Sequence, residues 1–135
     1  MWLITPIGFF SIVRKPADRK DQCLTVRARV RGDLVALRAA FLPSLGPITQ
    51  SDDTDYRFRA RAPQADVAAA AARLLAGVDY GNFKSEVARR QGHARAEVYH
   101  EVWERLHRLQ VDPAFAGAQP DAESEPAVHR RGNGG

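Results

Sequence analysis

Six arginines stand out in this chain as residues whose type and spacing could do chemistry. Arg27, Arg29 and Arg31 alternate with Leu24, Val26, Ala28 and Val30, and Arg57, Arg59 and Arg61 alternate with Tyr56, Phe58, Ala60 and Ala62. A β-strand points successive side chains to opposite faces, so this period sorts the apolar set to one side and the guanidinium groups to the other. Guanidinium forks match phosphate oxygens two at a time, which points to nucleic acid or a phosphate-bearing ligand. The same face would also suit an interface with a second copy, or would stand in water beside Asp and Glu. Six like charges repel one another, which argues for a partner. Sheets that bind RNA usually add aromatic rings for base stacking. Here the alternation assigns Tyr56 and Phe58 to the apolar side and leaves Phe10 as the outward aromatic, and the Lys/Arg-Gly-Phe/Tyr core of the RNA-recognition motif is missing.

Two further groups invite chemistry. Tyr80, Asn82 and Lys84 place a phenol, an amide and an amine at a helix start, where backbone donors favour an anion. Lys84 therefore joins the six arginines as a candidate contact for a polyanion or partner. The competing reading makes Asn82 an N-cap with Tyr80 and Phe83 packed around it. His93, Glu97, His100, Glu104 and His107 are spaced by four, three, four and three residues and share one helix face. That face lies opposite the apolar stripe of the same helix, so it points to water, and an exposed ridge has nothing to fix the surroundings of a metal. No metal or cofactor is expected.

Catalytic signals are sparse. Cys23 starts a strand with no histidine near it in sequence, and Ser11 has no nucleophile-elbow context. Neither phosphate-binding glycine motif occurs. An enzyme built on Tyr80, Lys84 and His93 is the least supported reading, and the chain is more consistent with a non-enzymatic role.

The elements that must position these residues follow from pattern and punctuation. Trp2–Ile4 and Phe9–Val13 are runs of β-formers around Thr5-Pro6-Ile7-Gly8, which predicts a hairpin. Lys15 to Gln22 reads as a polar loop, after which Leu24–Arg31 pairs antiparallel with Phe9–Val13. Asp33 is a plausible N-cap for a helix over Leu34–Phe41. Strand, helix and strand in succession suggest that Leu24–Arg31 and Tyr56–Ala62 form a parallel pair with a right-handed crossover. Pro63 opens an alanine-rich helix over Gln64–Ala76, buried through Val67, Leu74 and Leu75 and stopped by Gly77. Asn82 to Gln110 is a long helical region with Gly92 as a break; Ala94, Val98, Val102, Leu106 and Leu109 form its stripe, flanked by Tyr99 and Trp103.

At 135 residues, 44% hydrophobic and 27% charged, this is one domain's worth of an ordinary globular chain with a formal charge of +4. Residues 1–111 read as a single α+β domain. Residues 112–135, rich in Ala, Gly, Pro and acidic groups and ending in His129, Arg130, Arg131 and Gly132 to Gly135, read as a disordered tail. One cysteine rules out an internal disulfide and a cysteine-rich zinc site. The apolar start lacks a basic flank and is interrupted by Pro6 and Gly8, which argues against a signal peptide. No run is long enough to span a bilayer, so a cytoplasmic protein is expected.

Several segments also carry a resemblance: Met1-Trp2-Leu3, Gly8-Phe9-Phe10-Ser11-Ile12-Val13, Leu24-Thr25-Val26-Arg27-Ala28-Arg29, Asp55-Tyr56-Arg57-Phe58-Arg59-Ala60, Asp79-Tyr80-Gly81-Asn82-Phe83-Lys84 and Val98-Tyr99-His100-Glu101-Val102-Trp103. Over roughly residues 1 to 110 this pattern resembles a family of small uncharacterised bacterial proteins. The resemblance implies a common fold and supplies no catalytic residues.

The expected fold is α+β: a four-stranded, mainly antiparallel sheet with helices on its apolar face in a ferredoxin-like arrangement, and a long C-terminal helix that covers the sheet or reaches a partner chain. The expected function is a binding or assembly module that forms homo-oligomers, with nucleic-acid or phosphate-ligand binding through the arginine face as the alternative.

Overall fold

Thr5 and Gly8 close the first hairpin. In the computed structural model, which describes residues 1–118, β1 (Trp2–Thr5) and β2 (Gly8–Val13) pair antiparallel around Pro6 and Ile7. The Thr5 hydroxyl donates to Gly8 O at 2.8 Å and accepts the amide hydrogens of Ile7 and Gly8, so a single side chain satisfies the turn. The polar stretch after β2 holds one helical turn, α1 (Asp18–Asp21), which ends at Gln22 in the left-handed region. β3 (Cys23–Ala28) then pairs antiparallel with β2 as expected.

β3 stops at Ala28, three residues short of the alternating pattern. Val30 is the N-cap residue of α2 (Arg31–Ala40) and offers no side-chain cap. Asp33 is therefore the third helical residue rather than the N-cap, and its carboxylate is used elsewhere. It accepts the Phe9 amide at 3.0 Å and Arg95 Nη1 at 2.8 Å, tying the start of α2 to the first hairpin and to the last helix.

The chain returns through β4 (Thr49–Gln50) and β5 (Phe58–Pro63). The sheet has five strands rather than the expected four, because the short β4 adds an edge beside β5; their order is β1-β2-β3-β5-β4, and every neighbouring pair is antiparallel. β5 thus lies antiparallel beside β3, which corrects the expected parallel pair. The parallel partner that α2 delivers is β4: both β3 and β4 run opposite to β5, which is inserted between them. This is the split β–α–β element of ferredoxin-like folds, with a plain hairpin in place of the other crossover.

α3 (Gln64–Ala76) starts after Pro63 and stops at Gly77 as the sequence indicates. α2 and α3 cover one face of the sheet. The core between them holds Phe10, Val26, Ala28, Leu34, Leu37, Leu42, Leu45, Ala60, Ala62, Val67 and Ala70. Leu75, expected inside, is 74% exposed because only Val67, Ala70 and part of Leu74 face the sheet. Gly92, at φ 92°, separates α4 (Phe83–Gln91) from α5 (His93–Val111). A 3-10 helix, Pro113–Ala118, follows where a disordered tail was expected to begin; residues 119–135, including His129, Arg130 and Arg131, lie outside the described residues. The chain divides into two units, Met1–Val98 and Tyr99–Gly135.

The stripe on α5 is not buried. Val98, Leu106 and Leu109 are each more than half exposed, and the buried residues of this helix are Ala96 and Tyr99. No helix among the described residues is long and apolar enough to cross a membrane.

Candidate anion-binding face

The antiparallel register puts five residues in one row across the sheet, on the face turned away from α2 and α3. Trp2 pairs with Ser11, Ser11 with Arg27, Arg27 with Arg59, and Arg59 with Thr49. Directly opposed residues share a face. With strands about 4.8 Å apart, Trp2 and Arg27 stand about 10 Å from each other. A second row sets Thr25 beside Arg61.

Among the described residues, three of the six arginines have carboxylate partners. Arg57 Nε is 3.1 Å from Asp52, and Arg59 Nη2 is 3.8 Å from Asp55. Arg61 donates from Nε to Asp18 at 2.6 Å and from Nη2 to Asp21 at 3.0 Å. Asp18 is fully buried and also accepts the Thr25 hydroxyl at 2.7 Å and the Lys15 amide at 2.8 Å. Burial pushes the Asp18 carboxyl up, but the bonds from Thr25, Lys15 and Arg61 outweigh it and hold the group below its ordinary value. The bonds to Asp18 and Asp21 raise the Arg61 guanidinium in turn. Arg61 is thereby a structural clamp between β5 and α1. Arg31, the first residue of α2, has left the sheet altogether.

Arg27 and Arg29 are different. Both guanidinium carbons lie over one ring, Tyr56, at 4.5 and 4.8 Å from its centroid. Neither has a carboxylate partner among the described residues. Arg27 Nη2 donates to the buried Ser11 hydroxyl at 2.7 Å, while Arg27 Nε is buried without a hydrogen-bond partner. Two cations on one ring gain from the negative π-face but still repel each other, and no carboxylate among the described residues neutralises them.

Tyr56 overturns the expected sorting of the aromatics. Because β5 begins only at Phe58, the bend before it turns the Tyr56 ring to the arginine side, where it is 3% exposed beneath the two guanidiniums. Phe10, nominated as the outward ring, is in the core, and Phe9 points outward instead. Trp2, Phe9 and Tyr56 then form a chain of rings at 5.7 and 6.2 Å between centroids. Trp2 at its end is 66% exposed. Sequence reasoning missed Ser11, Trp2, Phe9 and Tyr56 as members of this face; the hairpin register, once Thr5 and Gly8 are taken as the closing pair, would have found Trp2 and Ser11.

Lys84 is not brought to this face by any strand; it lies in the first turn of α4. Asn82 caps that helix, accepting the Ser85 amide at 2.9 Å. Tyr80 packs against Phe83 and lines a 160 Å³ groove with Leu3, Pro6, Leu74, Leu75 and Val78, a lining that includes neither Lys84 nor His93. The groove is apolar and offers no acid–base pair. On α5, His100 bonds Glu104 at 3.1 Å, and Trp103 is stacked between His100 and His107. Among the described residues no three His, Cys, Asp or Glu side chains gather as metal ligands.

No family model, curated protein or solved structure matches this chain.

Proposed function

We propose that this chain is a non-enzymatic, cytoplasmic binding and assembly module that holds a phosphate-bearing ligand on Arg27 and Arg29. One observation carries the reading: these two guanidiniums share the Tyr56 ring without a carboxylate partner among the described residues, whereas Arg57, Arg59 and Arg61 each have one. An anion would relieve the repulsion and use the idle donors. Inorganic polyphosphate is a suitable probe, titrated at low salt by calorimetry. Wild-type protein binds with an affinity that falls as salt rises. Arg29→Glu loses that binding, and Arg57→Gln, which alters a paired and exposed arginine, changes it little. Absence of binding at low salt, or indifference to Arg29→Glu, rejects the proposal.

A second reading concerns assembly. Val98, Val102, Leu106 and Leu109 lie within one side of α5, and three of them are more than half exposed beside Trp103. Such a stripe is complementary to a second copy of itself, as in helix pairs that share an apolar seam. Size-exclusion chromatography with light scattering at micromolar concentration tests it, and a strict monomer removes it.

A further inference from the structure

We infer that the ligand of the arginine face is single-stranded nucleic acid, with a base stacked on Trp2 and the backbone phosphates on Arg27 and Arg29. The inference rests on the anion-binding reading and adds a chemical class to it.

Three features separate this face from a plain cation patch. The row Trp2–Ser11–Arg27 runs across adjacent strands, so the ring and the guanidinium are fixed by backbone register rather than by mobile loops. Trp2 is supported edge-on by Phe9 while its own surface remains 66% exposed, which leaves an indole anchored on one side and open on the other. Phe9 continues the rings to Tyr56, which lies beneath Arg29, so aromatic and cationic groups interleave along the face. Inorganic phosphate would use only the cations. A nucleic acid strand uses both, because every base has a π-face and every linkage a charge. A duplex keeps its bases stacked inside and cannot offer them to Trp2, which selects single strands.

The chain has two tryptophans, so Trp103→Phe leaves Trp2 as the sole indole reporter. In that background, oligouridylate and oligodeoxythymidylate of about ten nucleotides, near the site size of one small domain, are titrated against polyphosphate and a duplex of equal charge. The single strands, ribo or deoxy, quench the Trp2 emission; polyphosphate binds without quenching. Trp2→Ala, made in the wild-type background and checked for an unchanged unfolding transition, weakens single-strand binding about tenfold or more and leaves polyphosphate affinity in place. Arg29→Gln lowers the slope of log affinity against log salt by about 0.7 for the single strands. If single strands bind no better than polyphosphate or duplex and leave Trp2 emission unchanged, the nucleic-acid inference falls while anion binding stands. If no polyanion binds at low salt, both fall.

Discussion

Asp18 is the residue on which the packing of the arginine face turns. Its carboxylate is fully buried, yet it accepts from Thr25, from the Lys15 amide and from Arg61, so strand β3, the loop and strand β5 all meet at one side chain. Removing it strands three donors. Asp18→Ala is expected to lower stability by about 3 kcal/mol, read as a shift in urea midpoint at constant slope. The pH dependence has a definite sign. The folded-state carboxyl is held below its unfolded value, so it contributes stability above the ordinary aspartate range near 3.8 and loses that contribution as pH falls through the lower, folded value. Glu86, held at about 2 by Arg89 and Arg90, acts in the same direction from the surface. Wild-type protein should therefore lose stability more steeply than Asp18→Ala as pH is lowered from 5 towards 3, about the carboxylate range; equal slopes would remove Asp18 from the account. None of this was legible in the sequence. Lys15 to Gln22 reads only as a polar loop because a carboxylate paired to an arginine 43 positions away leaves no local signal.

Among the elements, the first hairpin and α2 set each other's position. A Cβ on Gly8 would lie 2.6 Å from Asp33 Cγ and 2.7 Å from Asp33 Cβ. The second distance matters more, because no rotamer of Asp33 moves its Cβ. Gly8→Ala must push the turn away from α2, and in doing so it breaks the Phe9 amide bond to the Asp33 carboxylate. A cost of about 3 kcal/mol is expected, at the upper end for forced overpacking. Hydrogen exchange checks the mechanism: the Phe9 amide should lose protection before the amides of β3 do, and uniform loss across the sheet would point to a different cause. The elements themselves were largely readable. α3 lies where Pro63, the alanine run and Gly77 place it, and Asn82 caps α4 as its type suggests. What failed was phase and termination. Adjacent Phe9 and Phe10 both fit a strand, and alternation alone does not say which one faces inward. Tyr56 keeps the period of Phe58 in sequence but lies before the strand begins, so its ring goes to the opposite face. Arg31 likewise continues an alternating pattern that the backbone has already converted to helix.

For the whole molecule, the two proposed surfaces make a joint prediction that neither makes alone. On its arginine face a single copy presents one ring-stacked pair of guanidiniums, Arg27 and Arg29, that have no carboxylate among the described residues, and so offers a short footprint there to a polyanion. Copies joined through the stripe on α5 carry two such footprints in one particle, and a strand long enough to reach both is held by effective concentration rather than by new contacts. Wild-type protein should bind a long oligonucleotide far more tightly than a short one, by about a hundredfold at the lower end for linked sites. Leu106→Glu combined with Leu109→Glu places charge on two exposed apolar positions, which leaves folding intact but opposes association. The double variant should sediment as a monomer, keep its affinity for the short oligonucleotide, and lose the gain on the long one. A gain that survives in a monomeric variant would mean that one copy carries a longer binding track than Trp2 to Arg59. A double variant that loses short-strand affinity would mean instead that α5 itself contributes to the site.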